Sequence, residues 1–266
     1  MSQTLDVIFC MPHPDDMEIT CGGSIARLVQ LGHRVGIVHM TDGEPTPQGT
    51  PEARARETAA AAKILGVHHV ETLPLTNREL MDSPAARYKV ATVFRRYKPK
   101  VVVGMAGRTP AASPDHYQAQ LIFEAARFYS QLTKWDDRFD GTPPHRIDWL
   151  WYRPVHIAAE PGQWFSTFVI DTSAVIEQKL AAISAYQSQF PPERLKRLLH
   201  RIRAFDAVEG GRCGFEYGEL FALPHPMPMN DPLAHFKGLS APFGPPPVDP
   251  ATVRPVEHRR ASRAGH

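Results

Sequence analysis

Cysteine is scarce in this sequence: Cys10, Cys21 and Cys213 are the only three among 266 residues. Three cysteines cannot build the disulfide framework of a small secreted domain, and their scarcity favours a reducing compartment. Long apolar runs are also missing, since none approaches the ~18 residues that a membrane-spanning helix needs. The first residues do not show the pattern of a signal peptide. We therefore expect a cytoplasmic protein with no membrane partner.

The chain also lacks an excess of charge of either sign. It carries 30 Lys and Arg residues against 28 Asp and Glu residues, which gives a formal net charge of +2. Such a balance provides no electrostatic basis for binding nucleic acid or an anionic membrane surface. Hydrophobic residues make up 42% of the chain, as is usual for globular proteins, and the length suits one large α/β domain.

Strand and helix patterns alternate through the first half of the chain. Apolar β-forming runs predict strands over residues 6–11, 34–40, 70–73 and 100–105. Amphipathic segments between and after them predict helices over residues 24–31, 51–65, 84–97 and 115–128. This alternation is typical of an α/β fold with a Rossmann-like, mostly parallel sheet flanked by helices.

The second half of the chain is less regular. We predict strands over residues 147–153, 167–170 and 215–223, and helices over residues 173–187 and 192–207. Residues 224–266 are rich in proline and have little apolar periodicity, which predicts an extended or disordered tail. The expected organisation is therefore one domain over residues 1–223 followed by this tail.

Polar clusters follow three of the predicted strands. They occupy residues 13–18, 41–44 and 113–116. Because ligands of parallel α/β sheets bind at the carboxyl ends of the strands, we expect these three clusters to converge on one site.

The first and third clusters contain residues suited to a metal ion. His13 and Asp16 could present an imidazole and a carboxylate from one turn, and His116 would complete a set of two histidines and one carboxylate. Three protein ligands leave a coordination position open for water, as in catalytic zinc sites, and the same set suits non-haem Fe²⁺. The neighbouring carboxylate of Asp15 could act as a general base in metal-assisted hydrolysis. From these residues alone, a simple turn before a helix remains an open alternative.

Several short motifs then follow one another in a characteristic order. They are His13-Pro14-Asp15-Asp16-Met17-Glu18, Cys21-Gly22-Gly23, Gly32-His33, Thr41-Asp42-Gly43-Glu44 and Gly49-Thr50-Pro51-Glu52-x-Arg54. In this order they resemble the PIG-L or LmbE-like family of zinc-dependent N-acetylglucosamine deacetylases. Two later segments, Tyr186-Gln187-Ser188-Gln189-Phe190 and Tyr217-Gly218-Glu219-Leu220-Phe221, resemble the branch that acts in bacillithiol-type thiol biosynthesis. The resemblance covers about residues 6–223.

The resemblance implies a role for each motif residue. His13, Asp16 and His116 would be the ligands of Zn²⁺, and Asp15 would be the general base. The substrate would be a small N-acetyl amino-sugar conjugate. Family members often form trimers or hexamers, so the resemblance also implies a homo-oligomer.

Three further residues would contact the substrate. Arg54 matches a family arginine that faces the pocket, where a guanidinium suits a carboxylate or phosphate group. Tyr217 matches a family tyrosine near the metal. Ser113 stands where the family has a histidine that stabilises the oxyanion or protonates the amine. A serine hydroxyl can donate a hydrogen bond but cannot carry that positive charge.

The serine keeps a second function open. The chain could be a non-catalytic or weakly active metal- or sugar-binding member of the same fold. A nucleotide-binding Rossmann protein is disfavoured because the Gly22-Gly23 pair lacks the G-x-G-x-x-G spacing and the acidic turn would repel phosphates.

Overall fold

Seven strands form a single sheet in the computed structural model, which describes residues 4–107, 112–154, 166–231 and 233–234. The strands are β1 (Val7–Met11), β2 (Val35–Thr41), β3 (His69–Leu75), β4 (Val101–Ala106), β5 (Trp149–Pro154), β6 (Ser166–Asp171) and β7 (Gly218–Leu223). Six α-helices accompany them in the described residues. They are α1 (Asp16–Gln30), α2 (Pro51–Leu65), α3 (Pro84–Tyr97), α4 (Asp115–Tyr129), α5 (Ile176–Ser184) and α6 (Pro192–Gly211).

The order of the strands is β3-β2-β1-β4-β5-β7-β6. The first five strands are parallel, and β7 runs antiparallel to both β5 and β6. The chain therefore builds outward from β1 in one direction through β2 and β3, and then in the other through β4 and β5. This reversal between β1 and β4 is a topological switch point, where the loops that leave two neighbouring strands diverge and open a crevice. The predicted α/β fold with a mostly parallel sheet is confirmed.

Both faces of the sheet are covered by helices. Helices α1, α2, α5 and α6 pack on one face, and α3 and α4 pack on the other. Strand β1 lies between the two cores, so Phe9 contributes to one core and Ile8 to the other, both with no exposed surface. A strand buried on both faces has a continuous apolar sequence, as this one has.

Helix α1 departs from the sequence-based prediction. The prediction began at residue 24, whereas the helix begins at Asp16 and is kinked at Cys21, where φ is −144°. Just beyond the kink, the backbone N–H groups of Gly23 and Ser24 donate to the two carboxylate oxygens of Glu219 at 3.0 and 2.7 Å. The sequence pattern detected only the half after the kink. A side chain at position 23 would clash, since its Cβ would lie 2.9 Å from Thr172.

A buried group of charges surrounds Glu219. The Nζ atom of Lys179, on α5, lies 2.7 Å from an oxygen of Glu219 and 2.7 Å from an oxygen of Asp206 on α6. Arg153, on β5, pairs with Glu209 at 3.1 Å. Lys179, Arg153 and Glu219 have no exposed surface. This network connects α5, α6 and the last strand to the kink in α1.

Smaller differences concern the second half of the chain. The helix predicted over residues 173–187 is a short 3₁₀ turn, Ser173–Val175, followed by α5. The strand predicted from residue 215 begins at Gly218, and α6 continues to Gly211. The predicted tail lies largely outside the described residues. Within the part of the chain that the structure describes, no helix is both long and apolar enough to cross a membrane.

Candidate active site

The loop after β1 carries the first polar cluster to the switch point. It is held against the end of β2, because the backbone N–H and the hydroxyl of Thr41 both donate to the carbonyl of Pro12 at 2.9 Å. Asp15 has a φ of +93°, a left-handed conformation that costs a non-glycine residue about 1–3 kcal/mol. This sharp turn places His13 before the helix and Asp16 at its first position.

His13, Asp16 and His116 meet at this edge of the sheet. Nδ1 of His13 lies 3.1 Å from one oxygen of Asp16, and Nε2 of His116 lies 3.4 Å from the other. One ligand atom from each residue lies within 4.8 Å of the other two. His116 comes from the first turn of α4, which follows β4, so the two strands at the switch point supply the whole set. All three side chains are buried, with exposed fractions of 8–9%.

The electrostatics of this trio fit a cation site. Burial opposes the charge of His13, but hydrogen bonds to Asp115 and Asp16 outweigh it and raise the pKa of the imidazole to about 10. Burial likewise opposes the ionisation of Asp16, yet His116 and His13 hold the pKa of this carboxyl well below its usual range. The trio thus concentrates an anionic oxygen between two imidazoles. Two imidazole nitrogens and one carboxylate oxygen are donors suited to Zn²⁺ or Fe²⁺, whose binding would displace the imidazole proton.

Asp115 is a site residue that the sequence analysis did not assign. Its carboxylate is buried and accepts from Nε2 of His13 at 3.2 Å and from the backbone N–H of Arg78 at 2.7 Å. Because Asp115 occupies Nε2, the other ring nitrogen of His13 faces Asp16. A carboxylate behind a metal-binding histidine orients the ring in this way in many metal sites. The position of Asp115 directly before His116 was the only available signal.

Asp15 lies beside the trio but points away from the role of helix cap. It is the N-cap residue of α1, and its side chain makes no capping hydrogen bond. One of its oxygens instead lies 3.6 Å from Nη2 of Arg54. Burial raises the pKa of Asp15 to about 7, against the opposing effect of the Arg54 charge. A carboxylate with a raised pKa and no metal-ligand role is suited to proton transfer near neutral pH.

The remaining predicted residues lie in different surroundings. Arg54 is on α2, and only 4% of it is exposed, so in this conformation it contacts Asp15 rather than open solvent. Ser113 is half-buried in the turn that begins α4, where its Oγ accepts from the backbone N–H of Asp115 at 3.3 Å. Tyr217 directly precedes β7, its backbone contacts Ser173, and its side chain lies beside Arg203 of α6. The substrate-binding roles of Arg54, Ser113 and Tyr217 stay predictions.

Comparison with known proteins agrees with this architecture. A sequence model of the PIG-L family, described as GlcNAc-PI de-N-acetylase, matches residues 8–127. A crystal structure of a conserved protein from Thermus thermophilus is 33% identical, and the match covers 85% of this chain and 97% of that one with a TM-score of 0.73. The chain belongs to the PIG-L family. The segment matched by the family model contains His13, Asp16 and His116.

Relatives in this family differ in the reaction they carry out. Diacetylchitobiose deacetylase of Thermococcus kodakarensis is 29% identical over 223 residues, which are 80% of each chain. The 4-oxalmesaconate hydratase of Pseudomonas putida is 26% identical over 191 residues, covering 66% of this chain and 71% of the hydratase. Both names describe reactions in which water is a reactant. The reaction of this PIG-L member is therefore argued from its own site.

Proposed function

We propose that this chain is a metal-dependent N-deacetylase that removes the acetyl group from a GlcNAc-type conjugate. One observation carries the proposal. A buried carboxylate, Asp15, lies next to three converging ligand groups without belonging to them. Hydrolysis of an amide needs both parts, a site that activates water and a separate group that accepts its proton. The deacetylase relative acts on an acetylated amino sugar, which supports the choice of substrate class.

Each residue then has a distinct task. His13, Asp16 and His116 would hold the ion, for which we propose Zn²⁺, with Fe²⁺ as the alternative. An ion of this kind polarises a carbonyl group and lowers the pKa of bound water to about 7. Asp15 accepts a proton from the attacking water and returns it to the nitrogen of the leaving amine.

The groups around the substrate complete the proposal. Arg54 keeps the carboxylate of Asp15 directed by charge attraction, and it could meet an anionic group of the conjugate after a rotamer change. Ser113 lies in the same turn as His116 and would donate one hydrogen bond to the acetyl oxygen. We keep Tyr217 as a substrate-binding residue on the strength of its family motif alone.

The test combines metal analysis with an assay of acetate release. Purified protein should contain about one zinc ion per chain, and it should release acetate from at least one substrate in a panel. The panel includes free N-acetylglucosamine, diacetylchitobiose, and GlcNAc conjugates with neutral and with carboxylate-bearing aglycones. Full metal content with no acetate released from any substrate would favour the second candidate, a metal- or sugar-binding protein without catalysis, for which Ser113 is the specific support.

A substitution of the general base tests the mechanism. Asp15→Asn should retain the metal and lose about 10²- to 10⁴-fold in turnover, because it removes the proton acceptor but no ligand. Asparagine tolerates the left-handed conformation, so the turn should persist. The matched control is Asp42→Asn, which changes an exposed aspartate of the neighbouring polar loop and should leave turnover unchanged. Unaltered turnover in Asp15→Asn would refute the assignment of the base.

Three further features belong to the same proposal. We infer that the catalytic domain ends at residue 223, where β7 also ends. We infer a cytoplasmic location, because Cys10, Cys21 and Cys213 are all free thiols, as in a reducing compartment. We further propose a homo-oligomer, a trimer or hexamer, which sedimentation analysis of the purified protein would test.

A further inference from the structure

Tyr186 is a fully buried residue that joins two parts of the active site. It follows α5 and has no exposed surface. Its hydroxyl donates to Oε1 of Glu18 at 3.0 Å. Its ring lies under the guanidinium of Arg54, with 5.5 Å between Cζ and the ring centroid. One side chain thus contacts both the first turn of α1 and the cation that faces Asp15.

Glu18 transmits the first contact to the general base. It is the third residue of α1, it has no exposed surface, and Asp15 is the N-cap of that helix. Burial raises the pKa of Glu18 to about 7, although its own backbone N–H, the hydroxyl of Tyr186 and the backbone N–H of Asp15 favour the anion. Its Oε2 makes no hydrogen bond of ordinary geometry with the described residues. The position resembles half of a capping box, in which the third residue of a helix turns back toward the N-cap.

Arg54 transmits the second contact. Its guanidinium lies between the Tyr186 ring and the carboxylate of Asp15, with Nη2 3.6 Å from the carboxylate. A buried arginine on an aromatic face loses the freedom to rotate away from its anionic partner. The two contacts act on the same residue, since Glu18 faces the backbone of Asp15 and Arg54 faces its side chain. Asp15 needs such support, because its left-handed conformation is unfavourable on its own.

We propose that Tyr186 is a positioning residue that holds Asp15 in the conformation required for proton transfer, through Glu18 on one side and Arg54 on the other. The inference rests on the proposed deacetylase function for its kinetic readout. It does not assign Tyr186 any contact with substrate or metal. It adds a residue from the C-terminal third of the chain to a site whose ligands all lie in the first half.

Two substitutions separate the contacts, and a third is the control. Tyr186→Phe removes the hydroxyl and keeps the ring, whereas Tyr186→Leu removes both contacts. Tyr152→Phe is closely matched, because Tyr152 is also buried and donates its hydroxyl to a glutamate, Glu124, at 2.8 Å in the other core. For each variant, we would measure kcat, KM, the affinity for Co²⁺ and the midpoint of thermal unfolding.

A positioning role predicts a specific combination of results. Tyr186→Phe should lower kcat about 10-fold and Tyr186→Leu about 100-fold, the range found for supporting residues around metal sites, with KM and Co²⁺ affinity within about twofold of the unmodified protein. Tyr152→Phe should show a similar loss of thermal stability with kcat unchanged. If both phenylalanine variants change kcat equally, Tyr186 is merely a core residue and the proposal is overturned.

A structural readout keeps the inference testable even if no conjugate is hydrolysed. Crystal structures of the two Tyr186 variants should show that Asp15 leaves its left-handed conformation or that the guanidinium of Arg54 moves away from it. An unchanged Asp15 and Arg54 in Tyr186→Leu would refute the positioning role, whatever the activity. Absence of acetate release by the unmodified protein would instead refute the proposed function alone.

Discussion

Replacing Lys179 by methionine is expected to be among the most damaging single changes in this protein. Methionine keeps most of the side-chain volume but removes the ammonium group that lies 2.7 Å from both Asp206 and Glu219. Because none of the three side chains has more than 1% of its surface exposed, water cannot replace the lost partner. Breaking a buried ion pair by removing one member costs about 3–5 kcal/mol. For a chain of this size, that loss lowers the thermal midpoint by roughly 10 °C.

The pH dependence provides a second signature of this substitution. Burial already raises the pKa of Asp206 to about 7, against the opposing charge of Lys179. Without Lys179, the native pKa of the carboxyl rises further above its value in the unfolded chain. The native variant then binds more protons than the unfolded chain, so its stability increases as the pH falls toward the unfolded value near 3.9. The difference between variant and unmodified protein should therefore be larger at pH 8 than at pH 5.

The assay is equilibrium unfolding in urea at pH 8 and pH 5, with the m value checked for constancy. The control is Arg203→Met, which removes an exposed partner of Glu177 and should cost at most about 1 kcal/mol. A loss below 1 kcal/mol for Lys179→Met at pH 8, or an equal loss at both pH values, would show that the buried charges are not held by this lysine.

Three further outcomes follow from particular contacts. Asp115→Asn should weaken Zn²⁺ binding about 10- to 100-fold, measured by competition with a chelator, because His13 loses its orienting carboxylate; an unchanged affinity would contradict that role. Gly210→Ala should cost about 1–3 kcal/mol in urea unfolding, since its Cβ would lie 2.5 Å from the backbone carbon of Tyr217; unaltered stability would mean that the helix can shift. Removal of metal by a chelator should abolish acetate release, and added Zn²⁺ should restore it, whereas activity that persists in metal-free protein would refute metal dependence.

Local signals explain why much of the first half was predictable. The bounds of α2 and α3 agree with the sequence-based prediction, because each helix begins with a proline after a serine or threonine cap. Thr50 accepts from the backbone N–H of Ala53 at 3.2 Å, and α2 ends at Gly66 in the left-handed conformation. Such signals need only neighbouring residues, so they can be read without a structure.

The converging ligands could be predicted for a different reason. Parallel strands direct their following loops to one edge of a sheet, so two polar loops that are remote in sequence had to meet if both strands were correctly identified. Topology alone carried that inference. The orientation of each ring and the distance between ligand atoms needed the structure.

The supporting contacts could not be predicted, because each joins residues far apart in the chain without a motif that pairs them. His13 and Asp115 are 102 positions apart, and Glu18 and Tyr186 are 168 apart. The kink in α1 is a similar case, since its freed N–H groups at Gly23 are satisfied by a carboxylate 196 positions away. Side-chain choices of this kind depend on the packed core rather than on local preference.

These contacts divide the labour between the two parts of the fold. Residues 8–127 include every proposed ligand and the proposed base, and α/β loops at a switch point are sufficient to bring them together. The second part supplies buried partners instead, with Tyr186 against Glu18 and Lys179 behind Glu219 at the kink of α1. An unfavourable backbone conformation such as that of Asp15 persists only where its surroundings over-determine it. In this chain that support comes from α5 and β7, so the less regular half is what keeps the strained turn in place.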